Sequence, residues 1–398
     1  MLFALSPFIS LSIAGLFAIF SSTLSKSPVL PLFAEHLGAS QTGVGLVAGV
    51  SAFAGIVASI PAGIFSDRLG RKRLMLFSGI VFATAPFFYL FVTTLWQLAL
   101  VRFYHGFATA IFIPVGTALI ADLFQQERGE KIGWFSTSTL GGRFMAPIIG
   151  GSILGFFVHN PDLSFKVVYL LCGIAGVITL ILVHHLPDPV QPVTPREEKR
   201  QFMAPLKAVL ADKNILLTCT VEASILFAYG TFETFLPLYA KSIGLTAFEI
   251  GIFLSAQIIT LALTKPIMGR FSDRHGRKPQ ILTGTILASF SMGCFFIVQS
   301  FMTLLVLSIV FGLCLSIITS ATAAFIADLS RQDTRGSAMG TLGSIMDIGH
   351  TAGPIIAGIL ASHFGTGYSF IGASFVLVGA ALLFFVGIGV KTSISRSI

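Results

Sequence analysis

Apolar residues recur along the chain in twelve long runs that short polar connections separate. An α-helix needs about 20 predominantly apolar residues to cross the hydrocarbon core of a bilayer. The pattern therefore predicts an all-α membrane protein of twelve transmembrane helices. We place them at residues 8–30, 42–62, 74–93, 97–121, 132–157, 166–186, 214–236, 247–268, 280–299, 303–327, 337–363 and 367–390.

The composition excludes a water-soluble protein. Charged residues make up 11% of the chain and apolar residues 54%, and the mean hydropathy is +0.89. A soluble domain carries about 25% charged residues, so the solvent for most of this chain must be lipid. The lipid bilayer is thus one expected partner.

The net charge of +8 is unevenly distributed along the chain. Most basic residues lie in alternate connections and at the C-terminus, whereas the other connections carry only Lys166 and Lys241. The positive-inside rule then places both termini in the cytoplasm. The excess charge is a topology signal, and we expect no nucleic-acid partner. We expect the cytoplasmic (inner) membrane of a prokaryote as the location.

An internal repeat divides the chain into two halves. Residues 63–73 read GIFSDRLGRKR and residues 269–279 read GRFSDRHGRKP, with an offset of 206 residues. We therefore predict an N-terminal six-helix bundle at 1–186, a cytoplasmic linker at 187–213, and a C-terminal six-helix bundle with a short tail at 214–398. Because six is an even number, the two repeats enter the membrane from the same side and are parallel.

The repeated segment resembles a motif of the major facilitator superfamily, G-x-x-x-D-R-x-G-R-K/R, and the resemblance covers the whole chain. The resemblance implies the major facilitator fold and transport by alternating access. It also implies that these segments form a latch that stabilises the outward-facing state. The latch residues are Gly63, Asp67, Arg71 and Asp122 in the first half and Gly269, Asp273, Arg277 and Asp328 in the second.

The physical interpretation of this latch rests on charge. Asp67 would face the N-terminus of the eleventh span, where the helix dipole favours an anion, and Arg71 would pair with Asp122. The second half offers the mirror set, with Asp273 directed at the fifth span and Arg277 paired with Asp328. Gly63 would let two helix ends approach closely.

Two further stretches resemble family motifs. Arg102 and Gly106 in the fourth span match the arginine-containing motif of proton-coupled members. The fifth span is similar to G-x8-G-x3-G-P-x2-G-G, a pattern of drug/proton exporters, with Ala146 where glycine is expected. The eleventh span echoes it, which leaves open a shared packing role for small residues. The packing residues are Gly133, Gly142, Pro147, Gly150 and Gly151, with Gly349, Gly353 and Pro354 in the echo.

Ionisable residues within the spans are few, and each costs about 2.5–3.5 kcal/mol on insertion scales, so by default they indicate function. We assign Lys26, Arg102, Arg143, Glu222, Glu233, Asp347 and His350 to the substrate and proton pathway, with His105 beside them. Lys26 and Glu233 are expected to pair, and so is Asp347 with Arg143 or His350. Glu222 has no partner that the sequence reveals, which makes it the preferred proton carrier. The mixed charges do not decide between a cationic and an anionic substrate.

These observations favour a secondary active transporter of a small molecule, a proton-coupled exporter of the drug/proton antiport type. The alternatives are a carrier of an anionic metabolite on the same fold and, more remotely, a transport-dead receptor or scaffold. The chain has no Walker loop, no G-x-S-x-G and no metal-spaced cysteine and histidine cluster, so we predict neither an enzyme nor a metal site. We expect a functional monomer without a cofactor, with the proton gradient as its energy source.

Overall fold

The fold is that of a computed structural model that describes residues 6–187, 212–330 and 335–388, with the backbone alone at 59–68 and 335–341. Within these ranges the regular structure is helical. The helices are α1 (Pro7–Leu24), α2 (Val29–His36), α3 (Gln41–Leu69), α4 (Arg71–Phe88, extended by a 3₁₀ turn at Tyr89–Phe91), α5 (Leu95–Leu123), α6 (Arg128–Phe156), α7 (Pro161–His184), α8 (Lys213–Ser242), α9 (Ala247–His275), α10 (Arg277–Phe295), α11 (Phe301–Leu329), α12 (Arg335–Phe364) and α13 (Tyr368–Ile388). Most of the predicted linker, 187–213, lies outside the described residues.

The twelve predicted spans all correspond to helices, but the first is not continuous. It divides into α1 and α2, so every later helix has a number one higher than its span. α1 ends at Leu24, and Ser25 to Pro28 form a turn before α2. Pro28 has no backbone N–H to donate, and it disfavours helical geometry at the residue before it. The prediction of one helix over 8–30 is therefore wrong at this point.

Ten of these helical segments are long and apolar enough to cross a membrane. The remaining two, α6 and α10, have sufficient length but carry more polar residues. In α6 these include a run of serine and threonine at 136–139 and the charged Arg143. Polar residues in a transmembrane helix are stable where they face other helices or water rather than lipid.

The repeated segments at 63–73 and 269–279 were predicted to be loops, and this is wrong. α3 continues to Leu69 and α4 begins at Arg71, so Gly70 alone interrupts the helix. Gly276 interrupts α9 and α10 in the same way. The φ angles are +93° at Gly70 and +92° at Gly276, a conformation that glycine adopts without steric cost. The two breaks confirm that the sequence repeat is also a structural one.

Helix crossings are repeated as well, and glycine allows each of them. A Cβ atom at Gly106 would lie 2.8 Å from the Ser51 oxygen of α3, and one at Gly312 would lie 2.5 Å from the Gln257 oxygen of α9. Both partners are backbone carbonyls, so neither can move aside as a flexible side chain would. The offset of 206 relates both the glycines and their partners. Each half therefore uses the same close crossing between its second and fourth spans.

The described residues pack as two compact units. The first contains those in Met1–Thr194, Glu233–Ser255 and Pro354–Thr366, and the second those in Pro195–Phe232, Ala256–Gly353 and Gly367–Ile398. In the first unit α1 packs on α6 and α7, α3 on α5, and α4 on α5 and α7. Its core includes buried Phe82, Phe112 and Phe135. In the second unit α10 packs on α11 and α13, around aromatic contacts of Phe295 with Phe232 and Phe370. The predicted domain boundaries stay a prediction.

Candidate functional site

The break between α1 and α2 places Lys26 inside the first unit. Its Nζ atom lies 2.7 Å from Oε2 of Glu233 on α8, and the two side chains are 21% and 9% exposed. The sequence predicted this pair from the near-equivalent places of the two residues in the repeat. An ion pair that is so far removed from water must be held in good geometry to offset the cost of desolvating both charges.

Arg102 on α5 is the most deeply buried charge near this pair, with 2% of its surface exposed. Its Nη1 atom donates to Ser25 Oγ and to the hydroxyl of Tyr89, each at 3.3 Å. The Tyr89 ring is stacked on Tyr169 with centroids 4.3 Å apart. Arg102 Nε has no hydrogen-bond partner among the described residues. The hydrogen-bond partners of this guanidinium among the described residues are thus neutral hydroxyl groups.

Arg143 on α6 is the third cation of this region. Its neighbour Gly142 packs against α1, where an added Cβ atom would lie 2.3 Å from the oxygen of Leu16. This crossing brings Arg143 close enough to act electrostatically on Lys26, as Arg102 also does. The Arg143 side chain is exposed, and in the described part of the chain it makes no ion pair. A guanidinium facing hydrocarbon would be costly, so this exposed face is expected to meet water.

Polar groups continue along the same helix faces. Ser22 lies one turn before Lys26, and Thr109 lies seven residues after Arg102, which places it on the same face of α5. The two hydroxyl oxygens are 2.8 Å apart. His105 is buried beside them, with its ring against Phe82. Neither ring nitrogen of His105 has a hydrogen-bond partner among the described residues. The sequence analysis did not identify the contact of Ser22 with Thr109.

Glu222 lies in the second unit, on α8, and is 2% exposed. Its carboxylate accepts a hydrogen bond from the hydroxyl of Thr322 on α11. Lys265 on α9 is close enough to act on it electrostatically. The structure therefore gives Glu222 partners that the sequence does not reveal. Thr322 could not be identified from the sequence, because the hydroxyl of an isolated threonine in an apolar helix usually bonds a carbonyl of its own helix. The Thr322 hydroxyl also lies within hydrogen-bond distance of such a carbonyl, that of Ile318.

Asp347 and His350 also belong to the second unit, on α12, and both are partly buried. The Asp347 carbonyl accepts a hydrogen bond from Thr351 at 2.7 Å. The His350 ring lies 5.5 Å from the ring of Tyr229. Arg143 belongs to the first unit, so a pair between Arg143 and Asp347 stays a prediction.

Two of the predicted latch pairs are present. Arg71 Nε lies 2.9 Å from Asp122 Oδ2, and Arg277 Nε lies 3.1 Å from Asp328 Oδ2. Asp273 contacts Arg277 at 2.5 Å, within its own segment. The action of these groups as a latch stays a prediction, and so does the contact of Asp273 with the fifth span.

The remaining latch residues are Asp67 and the two glycines, Gly63 and Gly269. The side chain of Asp67 and the surroundings of Gly63 lie outside the described residues. At Gly269 an added Cβ atom would meet nothing within 4 Å. The structure therefore gives no close helix approach at Gly269 of the kind proposed for Gly63.

The packing motif is largely present. Added Cβ atoms at Gly142, Gly349 and Gly353 would each lie within 2.3 Å of a backbone oxygen, and one at Gly150 would lie 3.0 Å from Leu24. Gly133 is an exception, because a Cβ atom there would meet nothing within 4 Å. Its assignment to the packing motif is wrong: it lies near the start of α6, at a position where no neighbouring helix among the described residues comes close.

Pro147, Gly151 and Pro354 take part in a second set of crossings, all within the first unit. An added Cβ atom at Gly45 on α3 would lie 2.2 Å from the Pro354 oxygen, and one at Gly251 on α9 would lie 2.4 Å from the Pro147 oxygen. Gly151 packs likewise on the Ala247 oxygen at 2.3 Å. We call these contacts the opposite-end crossings, since they lie away from the breaks at Gly70 and Gly276.

Polar contacts join the same region. Lys241 Nζ lies 2.6 Å from Glu35 Oε2, and the hydroxyls of Thr42 and Ser362 are 2.8 Å apart. The sequence analysis missed the pair of Glu35 and Lys241. A signal was available, because 206 residues, the offset of the repeat, separate these two residues.

Comparison with known proteins gives a consistent result. The sequence profile of the family described as Major Facilitator Superfamily matches residues 11–256 and 222–395. An uncharacterised MFS-type transporter of Methanocaldococcus jannaschii is 26% identical over 89% of this chain and 91% of its own length. Multidrug resistance protein 2 of Bacillus subtilis is 23% identical over 88% of both chains. A bacterial homologue of the human lysosomal transporter Spinster has a similar fold, with a TM-score of 0.83, 17% identity and 96% coverage of both chains.

Proposed function

The chain belongs to the major facilitator superfamily and is therefore an integral membrane carrier of small molecules, not an enzyme, and on this premise we propose that it is a proton-coupled exporter of the drug/proton antiport type. It works by alternating access, as a monomer, and the proton gradient supplies the energy. The relatives that are described as multidrug resistance proteins support export. The concentration of basic residues in alternate connections supports cytoplasmic termini in an inner membrane.

The observation that carries proton coupling is the position of Glu222. A carboxyl group with 2% of its surface exposed is stable in an apolar helix only if it is protonated or well compensated. Its hydrogen bond from the neutral Thr322 hydroxyl does not cancel a charge, and Lys265, which acts on it electrostatically, forms no ion pair with it among the described residues. Exposure to a different side of the membrane would change the balance between the protonated and the ionised carboxyl. A group that gains and loses a proton in this way can carry it across the membrane.

The other acids within the helices are less suited to this role. Glu233 forms an ion pair with Lys26, which stabilises its ionised form. Asp347 is only partly buried. We therefore propose Glu222 as the proton-carrying group of the exchange.

The test uses purified protein in proteoliposomes with an imposed pH gradient. Two probes report transport, the cation 2-naphthyltrimethylammonium and the anion 2-naphthalenesulfonate. Glu222→Gln retains the shape and the hydrogen bond of the side chain but cannot release a proton. We expect this variant to lose transport against a concentration gradient and to retain exchange of the probe at equal concentrations.

Glu130→Gln is the matched control, because Glu130 is an exposed acid in the first turn of α6 and its loss should leave transport unchanged. Uphill transport by Glu222→Gln at the wild-type rate would exclude Glu222 as the coupling group. If amide variants of Glu222, Glu233 and Asp347 all concentrate the probe, proton coupling through a carboxylate within the helices is wrong.

A further inference from the structure

The charges within the helices divide unequally between the two compact units. The pathway residues Lys26, Arg102 and Arg143 all belong to the first unit, whereas Lys265 on α9 belongs to the second. Glu233 is the acid beside them, while Glu222 and Asp347 belong to the second unit. In the sequence the charges are mixed, so their balance does not indicate the charge of a substrate. The structure separates a cationic region from the proposed proton-carrying carboxyl.

The cationic region has more positive than negative charge. Glu233 contacts Lys26 at 2.7 Å, which accounts for one of the three cations. The other acids of the described first unit lie at helix ends. Four of them form ion pairs there: Glu35 with Lys241, Asp122 with Arg71, Glu127 with Lys131 and Asp162 with His36. Glu249 accepts a hydrogen bond from Thr246, and Glu130 is exposed. Within the described residues, no carboxylate pairs with Arg102 or with Arg143.

Neither arginine can itself carry the exchanged proton. The guanidinium group remains protonated in proteins, so it is a fixed positive charge. Arg102 is 2% exposed and donates to two neutral hydroxyls, and a buried charge of this kind is costly without a counter-charge. Its Nε atom is buried without a hydrogen-bond partner among the described residues. Together these features are those of a site that an anion completes.

Arg143 is the exposed member of the cationic region. Its exposed side chain lies beside Gly142, at the crossing of α6 with α1. Ser22 and Thr109 add hydroxyl groups on the neighbouring helix faces. An entering anion would meet Arg143 first and would then find Lys26 and the hydroxyls. Guanidinium groups suit this task because they bind carboxylate, sulfonate and phosphate oxygens through paired donors.

We propose that Lys26, Arg102 and Arg143 bind an organic anion, so that the transported substrate is a small molecule with a carboxylate, sulfonate or phosphate group. This inference rests on the proposed function only in identifying the bound anion with the transported substrate.

The test measures binding at equal pH without a gradient, so it does not depend on proton coupling. The protein is placed in nanodiscs of zwitterionic lipid and titrated with 2-naphthalenesulfonate, 2-naphthyl phosphate and 2-naphthyltrimethylammonium. The three probes share one ring system and differ in charge. We expect tighter binding of both anions than of the cation. Arg143→Gln should weaken anion binding about ten- to hundredfold, the effect of losing a charge-assisted hydrogen bond.

Two further variants separate recognition from general effects. Arg128→Gln removes the same charge from an exposed position at the start of α6 and should leave anion affinity unchanged. Glu233→Gln removes the acid that neutralises Lys26 and should raise anion affinity severalfold. A gain of affinity on loss of an ion pair is not expected from a purely structural role.

The outcomes are distinct. The proposal is overturned if the cation binds as tightly as the anions, if no probe binds saturably, or if Arg143→Gln binds anions as the wild type does. Anion binding without transport under a pH gradient would preserve the anion site, but it would refute the proposed function and the identification of the bound anion with the transported substrate. Transport of the cation under a pH gradient without anion binding would preserve the proposed function and refute the anion site.

An anionic lipid headgroup offers the same chemistry as a soluble anion. The titration is therefore repeated in nanodiscs that contain phosphatidylglycerol. Unchanged probe affinity supports a soluble substrate. A marked loss of affinity, absent in Arg143→Gln, would assign the site to a lipid headgroup and overturn the proposal of a small solute.

Discussion

The opposite-end crossings offer a way to shift the conformational equilibrium with a single methyl group. In Gly45→Ala the new Cβ atom would lie 2.2 Å from the oxygen of Pro354, about 1.2 Å short of the 3.4 Å at which ordinary contact begins. The obstacle is a backbone carbonyl, so the helices themselves must separate. Overpacking of this kind costs about 1–3 kcal/mol.

In a carrier that works by alternating access, the cost falls on the state in which this crossing is closed. A difference of 1–3 kcal/mol between two states changes their ratio by roughly 5- to 150-fold. Gly45→Ala should therefore increase the population that is open at this end. Gly251→Ala, at the equivalent place of the repeat, should act in the same direction, since its Cβ atom would lie 2.4 Å from the Pro147 oxygen.

The assay is a spin-label distance measurement across this end. Labels on Ser40→Cys and His363→Cys, both exposed positions, are introduced after replacement of the four native cysteines. We expect a longer-distance component to grow in Gly45→Ala and Gly251→Ala. Gly133→Ala is the control, because a Cβ atom there meets nothing within 4 Å. Distance distributions that stay at the wild-type form in both crossing variants would refute the reasoning.

Three further predictions concern other parts of the chain. Asp67→Asn and Asp273→Asn should each reduce transport without unfolding the protein, by shifting the resting state about 1–2 kcal/mol; unchanged spin-label distances at the Gly70 and Gly276 breaks would contradict the latch. A cysteine at Ser395 should react with an impermeant reagent only after the cells are opened, and labelling of intact cells would reverse the predicted topology. Gly142→Ala should destabilise the first unit by about 1–3 kcal/mol in thermal unfolding. Gly133→Ala should be neutral or stabilising by up to about 1 kcal/mol. Equal effects of the two substitutions would show that the crossing of α6 with α1 does not control stability.

The sequence was sufficient to predict the helices and one central contact. Hydropathy located twelve spans because apolar length is what a bilayer selects. The repeat predicted the pair of Lys26 and Glu233, since near-equivalent positions of the two halves can meet around an axis that relates them. The pairs of Arg71 with Asp122 and of Arg277 with Asp328 were predicted differently, from the charges of the repeated motif within each half.

Other features depend on packing that a linear pattern does not record. The hydrogen bond of Thr322 to Glu222 joins helices that are 100 residues apart in the chain, and hydropathy carries no information on which helices are neighbours. Gly133 matched a motif by spacing, yet it lies in open space. The division of charges between the two units was also invisible in the sequence, because Glu233 lies on the same helix as Glu222 but in a different unit.

The ion pair of Glu35 with Lys241 has a consequence for the origin of the chain. The two residues occupy equivalent positions of the repeat, so in a symmetric dimer of identical halves each would face its own copy. Two glutamates or two lysines would then repel one another at 2.6 Å, the distance at which the present pair attracts. This contact is available only to halves that have different residues at this position. Divergence of the two halves must therefore precede it, and neither half could be replaced by a second copy of the other without loss of the pair.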